Sequence, residues 1–152
     1  MTTVAEALGQ ARALVVASLD AHVLLARALA TTRTGLIAND DRVLSDEEER
    51  VWSDWLARCA SGEPVAYLLG EKEFCGLVVE VRPGVLVPRP ETELLVDWAA
   101  NLLDARPLRP TVLDLGTGSG AIALALKHRC PQARVAATDA SPTALEIGRA
   151  HV

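Results

Sequence analysis

Aromatic side chains are scarce in this sequence: 152 residues include one phenylalanine, one tyrosine and three tryptophans. An aliphatic core is therefore required, and no row of aromatic platforms is available to stack single-stranded bases. Cysteine is scarce as well. Cys59, Cys75 and Cys130 are odd in number and far apart, with no C-x-x-C pair and no histidine at a zinc-ligand spacing. Neither a disulfide framework nor a metal site is expected, and the usage suits a reducing compartment. Long apolar runs are missing, and Met1-Thr2-Thr3-Val4-Ala5-Glu6 has no basic opening stretch. The expectation is a cytoplasmic protein with no membrane partner. An excess of basic charge is also absent. Fifteen Lys and Arg face twenty Asp and Glu, for a net charge of −5, and residues 1–70 alone hold six basic against ten acidic side chains. A polyanion partner calls for clustered cations, so direct binding of nucleic acid is not expected.

What is present is a chain with half its residues hydrophobic, long enough for one ordinary domain, or for a small domain followed by part of a larger one. Residues 1–70 read as a helical bundle. Thr3 with Glu6, and Ser45 with Glu48, match the S/T-x-x-E box that closes a helix start. Val4, Leu8, Ala11 and Val15 follow the first box at helical spacing; Val51, Trp52, Trp55, Leu56 and Cys59 follow the second. A further helix is expected to begin after Ser18 and run through Val23-Leu24-Leu25 to about Ala30, and a short one from Val65 to Leu69 between Pro64 and Gly70. Trp52 and Trp55, on the apolar stripe, are expected in the core. Asp46-Glu47-Glu48-Glu49 sits in a first turn, where carboxylates favour the helix dipole. His22, His128 and His151 have no ligand partners at useful spacing.

From residue 71 the pattern becomes β-branched around Gly76, and Arg82-Pro83-Gly84 marks a turn before Val85-Leu86-Val87. Residues 71–90 read as a β-hairpin linker. Pro88-Arg89-Pro90 is extended, and a helix follows from Glu91 to about Leu103; Arg106-Pro107 and Arg109-Pro110 break the chain again. Thr111 to Leu115 is then a buried-strand pattern, Gly116-Thr117-Gly118-Ser119-Gly120 a glycine turn, Ala121 to about His128 a helix, Arg134 to Asp139 a second strand, and Ser141-Pro142 a helix start. This is the β-α-β-α opening of a doubly wound parallel sheet, so the fold class is α/β: helical bundle, hairpin linker, and the beginning of a Rossmann-like sheet over residues 91–152. Two strands with two helices cannot cover both faces of a sheet, so Val112, Leu113, Val135 and Ala136 are expected to have an exposed side.

A glycine turn between strand and helix lets a ligand approach bare main chain. Asp139 follows Gly120 by 19 residues, near the spacing at which an acid ending the second strand meets ribose hydroxyls. The dinucleotide fingerprint places its third glycine one residue later than here. Asp114, two residues before Gly116, would repel a phosphate and suits a ligand carrying an amino group and a sulfonium; it either accepts the loop's backbone N–H groups or touches the ligand. A dinucleotide loop and a merely structural turn remain as alternatives.

The D-x-G-x-G-x-G string resembles the cofactor loop of class I S-adenosylmethionine-dependent methyltransferases. Gly62-Glu63-Pro64-Val65-Ala66-Tyr67-Leu68-Leu69-Gly70, Glu73-Phe74 and Pro83-Gly84-Val85-Leu86-Val87-Pro88-Arg89-Pro90-Glu91-Thr92-Glu93, joined to that loop, resemble the HemK-type family that methylates a glutamine amide of peptide chain release factors. The resemblance implies S-adenosylmethionine as cofactor, the glutamine of a Gly-Gly-Gln loop as substrate, and residues 1–70 as the part that docks the release factor. It places Gly116, Thr117, Gly118, Ser119, Gly120 and Asp139 at the cofactor, and Arg89 and Glu91 beside the substrate pocket. The family's catalytic Asn-Pro-Pro-Tyr signature does not occur in these 152 residues, so no catalytic residue is assigned, and the chain is expected to be a truncated form without turnover. Two other functions fit less well: methylation of a base amino group in nucleic acid, which shares both motifs, and a non-catalytic binding module.

Overall fold

A computed structural model describes residues 1–105 and 109–149; the Arg106-Pro107 break and His151 lie outside them. The chain divides into two compact units, Met1–Leu69 and Gly70–Val152.

In the first unit, α1 (Val4–Ala13) and α4 (Asp46–Ala60) each begin with a complete capping box: Thr3 and Ser45 accept from the amides of Glu6 and Glu48, whose carboxylates accept from the cap amides in return. Two orphan donors are thereby satisfied at each start. Between them lie α2 (Ser18–Ala28) and α3 (Arg33–Ala38), and α5 (Val65–Leu69) follows. The sequence reading had no separate α3. Its start is marked by Thr32, whose hydroxyl accepts from the Gly35 amide, a six-residue turn too short for periodicity to reveal. The helices close on one core in which Val4, Leu24, Leu25, Leu36 and Trp52 are almost fully buried. Trp52 is at its centre and donates its indole N–H to Gln10, while Trp55 is half-buried at the margin.

The second unit opens with a hairpin, β1 (Glu71–Phe74) antiparallel to β2 (Leu77–Glu80), closed by Cys75 and Gly76, both at positive φ. The Glu93 carboxylate accepts from the Cys75 amide and pins this turn. The stretch Val85–Val87 is not a strand; after Val81 the chain runs without regular structure to a 3-10 turn at Pro90–Thr92. Prolines at 83, 88 and 90 remove the N–H donors that a further strand would need. Helix α6 (Glu93–Asp104) then buries Val96, Ala100 and Leu103 at i, i+4, i+7.

Strands β3 (Thr111–Leu115) and β4 (Arg134–Thr138) pair in parallel, with Thr111 opposite Arg134 and Leu115 opposite Thr138. They are joined by α7 (Ala121–Arg129), and α8 (Pro142–Arg149) follows β4. The fold is thus the start of an α/β Rossmann-like sheet. Val112 and Val135 pack half-buried on the core under the helices, whereas Leu113, Leu115 and Ala136 are exposed on the opposite face. The bare face expected from two strands is there, carried by the alternate residues. Among the described residues no helix is long and apolar enough to cross a membrane.

Candidate functional site

The parallel register decides which residues meet. Because Leu115 pairs with Thr138, the two segments leaving the strands, Gly116 onward and Asp139 onward, emerge side by side. The Thr138 carbonyl accepts from the amides of both Gly116 (2.8 Å) and Thr117 (3.0 Å), turning the chain sharply away from the strand. Asp139 then ties the loop to the next helix: one carboxylate oxygen accepts from the Gly118 amide at 2.9 Å, the other from the Ser141 amide at 2.8 Å. These two backbone bonds, Ser141 first and Gly118 second, hold the Asp139 carboxyl below the ordinary aspartate range. The Asp114 carboxylate accepts from the Thr117 hydroxyl at 2.7 Å. Asp114 thus braces the loop through a side-chain hydroxyl, where the sequence leaves open either the loop's backbone N–H groups or the ligand.

The three glycines have different tasks. A Cβ built on Gly116, whose φ is +73°, meets nothing within 4 Å, so the main chain there is open to a ligand. At Gly120 (φ +82°) a Cβ would lie 3.4 Å from the Gly148 backbone, so this glycine lets α8 approach the start of α7. Ser119 is buried. A cavity of about 690 Å³ borders the loop at Thr117, Gly120 and Asp139 and runs between α7 and α8 past Lys127 and Arg149; Asp114 and Gly116 lie outside its lining. Arg89 and Glu91 are exposed beside the 3-10 turn.

Four loop amides, those of Gly116, Thr117, Gly118 and Gly120, donate to acceptors inside the protein; that of Gly120 goes to the Thr117 carbonyl. They are therefore not aimed outward as a phosphate cradle. What the site offers is two carboxylates, each oxygen with lone-pair capacity beyond the bonds named, next to bare main chain. Such a lining suits a ligand with hydroxyls and positive charge. The Thr138 carbonyl and the Ser141 amide were not singled out by sequence reasoning. Only the register brings them in, although the Ser141-Pro142 helix start was a signal for the second: the Ser141 hydroxyl accepts from the Ala144 amide.

Comparison with known proteins agrees with this geometry. Residues 3–70 match the family model described as PrmC N-terminal domain, and residues 112–152 match one described as Methyltransferase domain. The release factor glutamine methyltransferase of Bordetella pertussis is 47% identical over 129 residues, covering 85% of this chain and 47% of that protein. Its namesake from Burkholderia pseudomallei is 48% identical over 132 residues (87% and 46%), and that of Escherichia coli 40% over 144 residues (95% and 51%). The chain spans about half the length of the curated relatives it matches. Helical unit, glycine loop and these matches agree in making the chain similar to the N-terminal half of release factor glutamine methyltransferases.

Proposed function

We propose that this chain supplies the cofactor-holding part of an S-adenosylmethionine-dependent methyltransferase whose acceptor is a glutamine side-chain amide of a peptide chain release factor. The observation that carries the cofactor reading is the lining of the loop: carboxylates at Asp114 and Asp139, amides already bonded inward, and an open main chain at Gly116. A pyrophosphate would meet the repulsion of two carboxylates and four loop amides already bonded inward; a sulfonium nucleoside finds acceptors for its sugar hydroxyls and a negative field for its charge. In this reading Asp139 holds the ribose, Gly116 and Thr117 lie against the ligand, and Gly118 and Gly120 keep the loop's shape.

The cofactor supplies a methyl group on a positively charged sulfur. An amide nitrogen is a weak nucleophile because its lone pair is delocalised into the carbonyl, so the enzyme's contribution is to hold that nitrogen in line with the methyl group and accept its proton. The exposed segment with Arg89 and Glu91 is the part of this chain proposed to lie beside the acceptor. The helical unit, matched to the PrmC N-terminal domain, is proposed to dock the release factor.

Calorimetric titration tests the site. S-adenosylmethionine is expected to bind the wild-type chain and to lose roughly tenfold or more in affinity with Asp139→Ala, the loss of a charge-assisted hydrogen bond. A dinucleotide such as NAD should give no heat. Equal heats for wild type and variant would remove Asp139 from the site, and tight NAD binding would replace the reading with a phosphate-binding one.

A further inference from the structure

The segment that carries Arg89 has a single buried side chain. From residue 82 to residue 90 only Val85 is buried, at 4% exposure, whereas its neighbour Leu86 is 73% exposed. Local chemistry explains the inward aim of Val85. Arg82-Pro83-Gly84-Val85 is a tight turn, closed by the Val85 amide on the Arg82 carbonyl at 3.2 Å with Gly84 at φ +94°, the geometry that wants proline then glycine. The turn drives Val85 into a small cluster of its own with Ala144 and Ile147 of α8. There it also borders the glycine loop: a Cβ placed on Gly118 would come 3.5 Å from Val85 Cγ1, so Val85 fills the space into which a side chain at 118 would point. Gly118 is in turn the residue whose amide Asp139 holds, so the one buried side chain of this strap packs on α8 and stands next to the centre of the loop.

We infer that Val85 is a positioning residue that couples the strap bearing Arg89 and Glu91 to the glycine loop, so that ordering the loop around its ligand also fixes the strap. The inference rests on reading the loop as a cofactor loop and the strap as the acceptor side of the site. Packed contacts pass on such changes because the two arrangements of a small cluster are discrete, with the side chain seated or unseated. Val85 makes no bond to a ligand in this scheme; it acts through Gly118 and through α8. The consequence is that a cofactor-loaded loop presents Arg89 and Glu91 in one place, and an empty loop does so less strictly.

Amide hydrogen exchange on the ligand-free 152-residue chain tests the coupling directly. With Val85→Ala, the hydrogen-bonded amides of Thr117, Gly118 and Gly120 in the loop and those of residue 85 and Thr92 in the strap, bonded to the Arg82 and Arg89 carbonyls, are expected to exchange about tenfold faster together, as a truncated anchor raises the open population, while the amides of α4 stay unchanged. Faster exchange confined to the strap, or no change in either segment, overturns the proposal. If Val85→Ala also strips protection from β3, then Val85→Thr, which keeps the shape, is measured instead and must show the same paired change with β3 intact; an unpaired change again overturns it. A second arm titrates S-adenosylmethionine into the labelled chain. In wild type the strap amides should shift along the same saturation curve as Gly118; in Val85→Ala the Gly118 shift should persist and the strap shifts vanish. Loop shifts without strap shifts in wild type overturn the coupling and leave the cofactor reading standing. No shift anywhere overturns the cofactor reading, and the coupling is then decided by the ligand-free exchange alone.

Discussion

The two units treat apolar surface differently. Met1–Leu69 folds its five helices around one core in which Trp52 is fully buried, and the starts of α1 and α4 are closed by capping boxes. Gly70–Val152 has a core of its own, from Phe74 and Val79 through Val96 to Cys130; both units leave single apolar side chains in solvent, Val15 and Ile37 in the first and Trp98 in the second, but the second also bares one face of a parallel strand, with Leu113 at 55% and Leu115 at 74% exposure. The contrast follows from how each element satisfies its backbone. A helix closes its hydrogen bonds internally and needs cover on one stripe, which a few neighbours provide. A parallel strand needs a partner on each edge and cover on each face. Two strands with helices over one face satisfy half of that requirement, and β3 shows the other half as exposed leucines.

Substitutions sharpen this comparison. The largest effect is expected for Trp52→Ala, which empties the centre of the helical core and should destabilise the first unit by about 3 to 5 kcal/mol. Denaturant unfolding with residue-resolved exchange should show α2 and α4 losing protection while β3 and β4 keep theirs; loss of protection in both would mean that the units do not unfold separately. An intermediate effect is expected for Ser45→Ala at the α4 cap, about 1 kcal/mol, read as a lower urea midpoint. The same cap responds to pH. Glu48 lies below the ordinary glutamate value, chiefly because its carboxylate accepts from the Ser45 amide, with Arg42 adding to it. A depressed carboxyl contributes stability above its unfolded value and loses it as pH falls through the folded one. The gap between wild type and Glu48→Gln should therefore close on acidification below about pH 4. The smallest effect is expected for Leu115→Ser on the bare sheet face, within about 0.5 kcal/mol of wild type, accompanied by weaker binding of a hydrophobic dye. A large loss of stability there would show that this face is covered after all.

Much of this was legible in the residues. Both capping boxes were marked by an acid three residues after a hydroxyl, and the switch from period 3.6 to β-branched runs near residue 71 located the change of architecture. The glycine loop was readable because three glycines between a strand and a helix pattern have few other uses. Less was legible where chemistry depends on partners distant in sequence. The reading of Asp139 as a ribose ligand had no means of showing that its carboxylate also accepts from Gly118 and Ser141, and Asp114 alone does not reveal its bond to Thr117. Val85 was one apolar residue in a proline-rich stretch, with no pattern to mark it.

Local rules, then, were enough to determine the helices other than α3, the capped starts of α1 and α4, the turn residues and the order of strand, loop and acid, because propensity, capping and glycine geometry act within a few residues. Tertiary structure alone decided that Leu115 pairs with Thr138, that four of the loop's amides turn inward and that Val85 packs on α8 beside Gly118. Strand register and side-chain packing join residues dozens of positions apart, and no short-range pattern contains that information.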